Sequence, residues 1–146
     1  MDSFERVTVG DHVLFSKTVG ESDVYLFAGI TGDLNAIHVN EQAMAGTRYG
    51  RRIAHGVLTV GFMSTASTMM IDKLGGVAVS YGYDRVRFVR PVFIGDTVTV
   101  RYEITERLDD ARRAVSAVEA RNQHGETVAV ARHILQFLPA GTGRAA

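Results

Sequence analysis

The chain has no cysteine, no excess of charge of either sign, no apolar leader and no internal repeat, long linker or low-complexity block. Without cysteine there is no disulfide framework, thiolate metal site or thiol nucleophile. Sixteen basic residues against sixteen acidic ones leave no summed field to recruit nucleic acid or an anionic membrane surface, and neither is expected as a partner. The first six residues are polar, which favours the cytoplasm. Only one long apolar run is present, Ile53 to Ile71. It carries His55, Ser64, Thr65, Ser67 and Thr68, so it is read as a helix buried in a core rather than a membrane span. There is no phosphate-binding glycine loop, no Gly-x-Ser-x-Gly elbow and no familiar histidine spacing for a metal.

What is present reads as one domain over residues 1–138, with residues 139–146 a disordered tail rich in small residues. Residues 12 to 19 are β-branched or aromatic enough for a strand. A short helix is expected from Glu21 to Ile30. Gly20 with Asp23 three places on marks its start, Val24, Phe27, Ala28 and Thr31 share one stripe, and Thr31-Gly32-Asp33 stops it. Asn35 to Asn40 is expected to be irregular, followed by a short helix from Glu41 to Ala45. His55-Gly56 opens a long helix from Val57 to Lys73, which Gly75-Gly76 closes. Beyond it the period changes to two. Val77 to Phe88, the alternation of Val98, Val100, Tyr102 and Ile104, then Arg113 to Arg121 and Glu126 to Phe137 read as antiparallel strands. One strand, short helices, a long helix and a run of strands make an α+β domain.

The stretch Phe-Ala-Gly-Ile-Thr-Gly-Asp-Leu-Asn-Ala-Ile-His ending at His38, with Arg-Tyr-Gly-Arg-Arg-Ile-Ala-His-Gly ending at Gly56, sets an acid, an imidazole and a helix N-terminus on a short length of chain. Adding water to an enoyl thioester needs two groups that pass protons and one donor for the negative charge on the thioester oxygen. Taken alone, Asp33 after a glycine is more often a turn cap, and His38 more often a hydrogen-bonding loop residue. Their combination with Asn35 and the long helix reverses that weighting.

The same stretch, with Arg87-Phe-Val-Arg-Pro-Val-Phe-Ile-Gly-Asp96, resembles the MaoC-like dehydratases, the group that contains the (R)-specific enoyl-CoA hydratases. The resemblance implies a hot-dog fold, an antiparallel sheet wrapped around a long central helix, with the sheets of two subunits joined edge to edge in a homodimer or a dimer-based oligomer. It implies a hydro-lyase without metal or cofactor, acting on acyl-CoA. In it Asp33 and His38 match the catalytic dyad, Gly56 the backbone donor to the thioester carbonyl, and Ser64 a serine near the catalytic centre, with helix packing an equal alternative for that serine. The pattern commonly has Asn-Pro where this chain has Asn35-Ala36. His55 is read as structural, tying the loop to the helix start. Arg48, Arg51, Arg52, Arg87 and Arg90 are candidates for carrier phosphates or plain surface residues, and Phe27, Leu34, Met44, Phe62 and Met63 for an acyl slot or the core. Alternatives are a dehydratase for acyl-carrier-protein, branched or dicarboxylic thioesters and, in another class, a non-catalytic acyl-binding partner subunit.

Overall fold

A computed structural model describes residues 2–139; all of the expected tail except Pro139 lies outside the described residues. One turn of 3₁₀ helix at Ser3–Arg6 leads into β1 (His12–Thr18), α1 (Glu21–Thr31), two short helices α2 (Ala36–Val39) and α3 (Glu41–Ala45), the long α4 (Gly56–Leu74), and then β2 (Ala78–Phe88), β3 (Thr97–Leu108), β4 (Arg113–Arg121) and β5 (Thr127–Phe137). The strands form one sheet in the order β1-β3-β4-β5-β2, every neighbour antiparallel. The hairpins β3-β4 and β4-β5 are the consecutive pairings that the period-two pattern predicts. The two edges, β1 on β3 and β2 on β5, join strands distant in sequence, and no local signal announces them.

The alternation foreseen on β3 is the burial pattern observed: Val98, Val100, Tyr102 and Ile104 are fully buried. Helix α4 lies across that inner face. Thr59, Phe62, Met63, Ala66, Ser67, Met70 and Leu74 are its buried residues, three or four apart and therefore on one stripe. Each of the large apolar ones contributes about 1.5–3 kcal/mol through burial. This is the hot-dog arrangement, with one correction. The helix is not buried all round: Val57, Gly61, Ser64, Thr65 and Thr68 on its other side are exposed. Among the described residues no helix is long and apolar enough to cross a membrane.

The start of α1 follows the expected device. The Gly20 N–H donates to Asp23 Oδ2 at 2.8 Å, which satisfies one of the first-turn groups a helix leaves open.

A polar cluster sits inside the apolar core. His133 is fully buried, with Nδ1 2.8 Å from the Tyr102 hydroxyl and Nε2 2.7 Å from Ser80 Oγ, and Tyr83 stacks on its ring at 4.1 Å. Burial lowers the His133 pKa to about 4, below the value near 6.5 of an exposed imidazole. Between these two values the unfolded chain binds a proton that the folded chain refuses. The stability His133 contributes is therefore complete above about pH 6.5 and is lost as pH falls toward 4. Denaturant unfolding across this range is expected to show a loss on the order of 3 kcal/mol. His133→Gln, which cannot titrate, is expected to remove most of that slope while leaving the carboxylate-driven loss at lower pH.

Candidate active site at the start of the long helix

Helix α1 ends at Gly32, whose N–H donates to the Ala28 carbonyl at 2.8 Å and whose φ of 82° is a left-handed value that glycine adopts without strain. The chain then turns at Asp33. The next segment is not irregular, as its asparagines and glycine led us to expect. The side chain of Asn35 accepts from the Ile37 N–H at 3.1 Å, and this N-cap lets Ala36–Val39 close one helical turn. Asn40 then caps α3 in the same way, accepting from Ala43 N–H at 3.0 Å.

The turn swings His38 to the inside. It is buried, and its Nδ1 donates to the Ile53 carbonyl at 2.7 Å. A proton held on Nδ1 leaves Nε2 as the lone-pair nitrogen of the neutral ring. His55, also buried, stacks on His38 with ring centroids 3.7 Å apart, and its Nε2 donates to the Asp33 backbone carbonyl at 3.0 Å. Phe27 of α1 closes the other side of His55 at 4.7 Å. The expected tie between loop and helix start is thus made by His55.

A carboxylate oxygen of Asp33, a ring nitrogen of His38 and one of His55 all lie within 4.8 Å of one another. Asp33 is exposed, and its turn-cap contact is weak, the Asn35 N–H standing 3.4 Å from Oδ1. One water hydrogen-bonded at roughly 2.8 Å to each group spans such a gap. A metal ion does not fit as well. Ligands around a tetrahedral zinc stand about 3.3 Å apart, and the two imidazoles are stacked within 25° of parallel, so their in-plane lone pairs run side by side rather than converging.

Beside His38 opens a cavity of about 350 Å³ whose walls include Gly56, Thr59, Phe88, Val92 and Val128. His55 is the N-cap residue of α4 but gives its first turn no side-chain hydrogen bond. The Leu58 N–H closes back on the His55 carbonyl at 3.0 Å, which leaves the Gly56 and Val57 N–H groups for solvent or a ligand at the positive end of the helix dipole. The space a Gly56 side chain would fill is taken by Phe88: a Cβ there would meet three ring atoms at 2.9 Å. The glycine therefore admits an aromatic ring from β2, which covers its Cα side.

The MaoC like domain matches residues 5–128. The chain belongs to the MaoC-like family. Among curated relatives, it is 41% identical over 102 residues to an (R)-specific enoyl-CoA hydratase of Rhodospirillum rubrum, covering 70% of this chain and 69% of that one. It is 40% identical over 111 residues to a 3-hydroxybutyryl-CoA dehydratase of Methylorubrum extorquens, covering 76% and 69%. Among solved structures, an (R)-hydratase from A. caviae involved in PHA biosynthesis superposes with a TM-score of 0.83 at 26% identity, over 90% of this chain and 98% of that one.

In this MaoC-like chain the remaining expectations sort by position. Ser64 lies two turns beyond Gly56, is exposed, and does not line the cavity that holds His38 and Gly56. None of the five acyl-slot candidates lines that cavity. Met44, Phe62 and Met63 are core, Leu34 is exposed, and Phe27 packs on His55. Of the arginines, Arg52 is committed to Glu21, Glu41 and Tyr25, Arg51 lies 3.9 Å over the Phe93 ring, Arg48 donates to the Tyr49 hydroxyl, and Arg87 donates to the carbonyl of Val86. Arg90 alone of the five reaches the cavity. Thr59, Phe88, Val92 and Val128 were missed because they come from α4, β2, the β2–β3 connection and β5, and converge only in the fold.

Ala36, where the family pattern commonly has proline, is the first residue of α2. That position suits proline, whose missing N–H belongs to the unpaired first turn. Ala36→Pro is expected to preserve the fold and raise stability by about 0.4–1 kcal/mol in denaturant unfolding.

Proposed function

We propose that this chain is a hydro-lyase that reversibly adds water to a trans-2-enoyl-CoA, giving the (R)-3-hydroxyacyl thioester. The observation that carries the reading is the pairing of Asp33 and His38 within 4.8 Å on the flank of a helix N-terminus whose first-turn N–H groups have no side-chain cap. The activities of the relatives from Rhodospirillum rubrum and Methylorubrum extorquens support the reaction class, and the stereochemistry rests on the (R)-specific relative from Rhodospirillum rubrum.

In the proposed reaction, water held between the Asp33 carboxylate and the His38 ring loses a proton to the dyad as its oxygen bonds to C3. The dyad returns a proton to C2, so the net change is one water added across the double bond. Negative charge gathers meanwhile on the thioester oxygen, where the Gly56 N–H and the dipole of α4 meet it. As a coupled pair the two groups divide acid and base duties between them. Hydration changes no oxidation state overall, so these groups need no cofactor. Ser64 takes part in this scheme only where the acyl chain or a second subunit follows α4 away from Gly56.

The domain is proposed to span 1–138, to work in the cytoplasm and to pair as a homodimer through β2. That strand is an edge of the sheet, eleven residues long, and it and the residue before it expose Val77, Val79 and Tyr81, a row that invites a partner strand.

With crotonyl-CoA, the purified protein is expected to remove the enoyl absorbance. Asp33→Asn and His38→Ala are each expected to lower kcat by roughly 10²-fold or more, with KM little changed, because general acid–base groups are worth 10²–10⁴-fold. Turnover that survives both substitutions counts against the dyad.

A further inference from the structure

The arginine at the cavity mouth is not used by the dyad chemistry, and resting on the hydratase reading we propose that Arg90 binds the amide carbonyl nearest the sulfur in the substrate's carrier arm. Arg90 stands in the connection after β2, and it shares one cavity with His38 and Gly56. Its Nη1 donates to the Thr127 carbonyl at 2.9 Å, which anchors the guanidinium on the wall, while half of its side-chain surface stays exposed. It therefore stands on an open side of the cavity, next to Phe88, which is also about half exposed. Tyr49 also lines this cavity, its hydroxyl occupied by Arg48.

Distance and charge decide which part of a thioester meets Arg90. The cavity holds about 350 Å³, roughly 9 Å across as a sphere and near the lower limit for ligand pockets. With the thioester carbonyl at Gly56, the first amide carbonyl of a pantetheine arm stands four to five bonds past the sulfur, roughly 6 Å away when three chain bonds advance about 3.4 Å. The phosphate is thirteen bonds away, roughly 15 Å by the same measure, and falls outside. Charge points the same way. Glu126, held by Asn122 at 2.8 Å, stands 3.9 Å from Arg90 Nε with both side chains half exposed. A carboxylate so placed opposes a phosphate but not a neutral carbonyl. An apolar acyl tail would gain nothing from a guanidinium, so the carrier arm occupies this side and the acyl chain points inward.

The test compares wild type and Arg90→Gln on three crotonyl thioesters: of CoA, of N-acetylcysteamine, which keeps the amide and lacks the phosphates, and of n-propanethiol, which lacks both. The expected result is a kcat/KM lowered about tenfold on the first two, mostly through KM, as for loss of a hydrogen bond from a charged donor. The propyl ester should stay within twofold, and the melting temperature should not move. Arg90→Lys, keeping charge but not the fork, is expected to fall between. Equal losses on all three esters, a loss confined to CoA, or no loss overturns the proposal. Butyryl thioesters have no double bond to hydrate, so the same comparison of Kd by calorimetry decides the matter independently of turnover. Wild-type inactivity on every enoyl ester with an Arg90-dependent Kd would count against the hydratase reading alone. Comparing wild-type rates on crotonyl-CoA and a crotonyl carrier protein, which bear the same amide, identifies the carrier.

Discussion

The His55 imidazole holds together three pieces of chain that would otherwise be independent. It is the N-cap residue of α4, it donates to the Asp33 backbone carbonyl, and it stacks face to face on His38. Through it the loop carrying Asp33, the short helix carrying His38 and the dipole of the long helix take fixed positions relative to one another. Asp33 and His38 are five residues apart with a helical turn between them, and nothing in that turn alone requires their side chains to converge. A buried ring in contact with both sides of the turn does. The ring is held by its hydrogen bond to the Asp33 carbonyl and by packing between His38 on one side and Phe27 on the other.

Around that clasp the scaffold supplies rigidity. The stripe of α4 from Thr59 to Leu74 lies on the inner face of the sheet, which fixes where the first turn of α4 points. The opposite wall of the cavity is fixed by the connection between β2 and β3. Ala54 N–H donates to the Val92 carbonyl at 2.7 Å, and buried Asp96 accepts from Phe93 N–H and from Gln123 Nε2. The wall that presents Val92 and Arg90 is therefore braced on both flanks. A site made of two loops and a helix end is thus tied in place by backbone and side-chain bonds to its neighbours.

Much of this was legible before any coordinates. The period-two runs marked β3, β4 and β5, and on β3 they marked the inward residues too, since side chains alternate across a pleated strand whatever its neighbours. Gly20 with Asp23 marked the start of α1 because that cap is a local hydrogen bond. Asn35 to Asn40 was misjudged for a related reason. Asparagine favours turns, but as an N-cap it also starts helices, and here two of them in succession do so. The acyl-slot candidates could not be told from core residues, because size and apolarity describe both equally, and only the fold separates Phe62 in the core from Phe88 over Gly56.

The sequence by itself determined which groups are available: an acid, two imidazoles, a glycine opening a long helix, and strands whose inner faces are apolar. Those properties follow from residue type and short-range geometry. Only the tertiary structure decided that the two edge strands join to non-consecutive partners, that His55 stacks on His38, that Phe88 occupies the space beside Gly56, and that Arg90 alone of five arginines reaches the cavity. Each of these is a meeting of residues far apart along the chain. Such meetings are set by the packing of α4 against the sheet, which no local pattern of residues encodes.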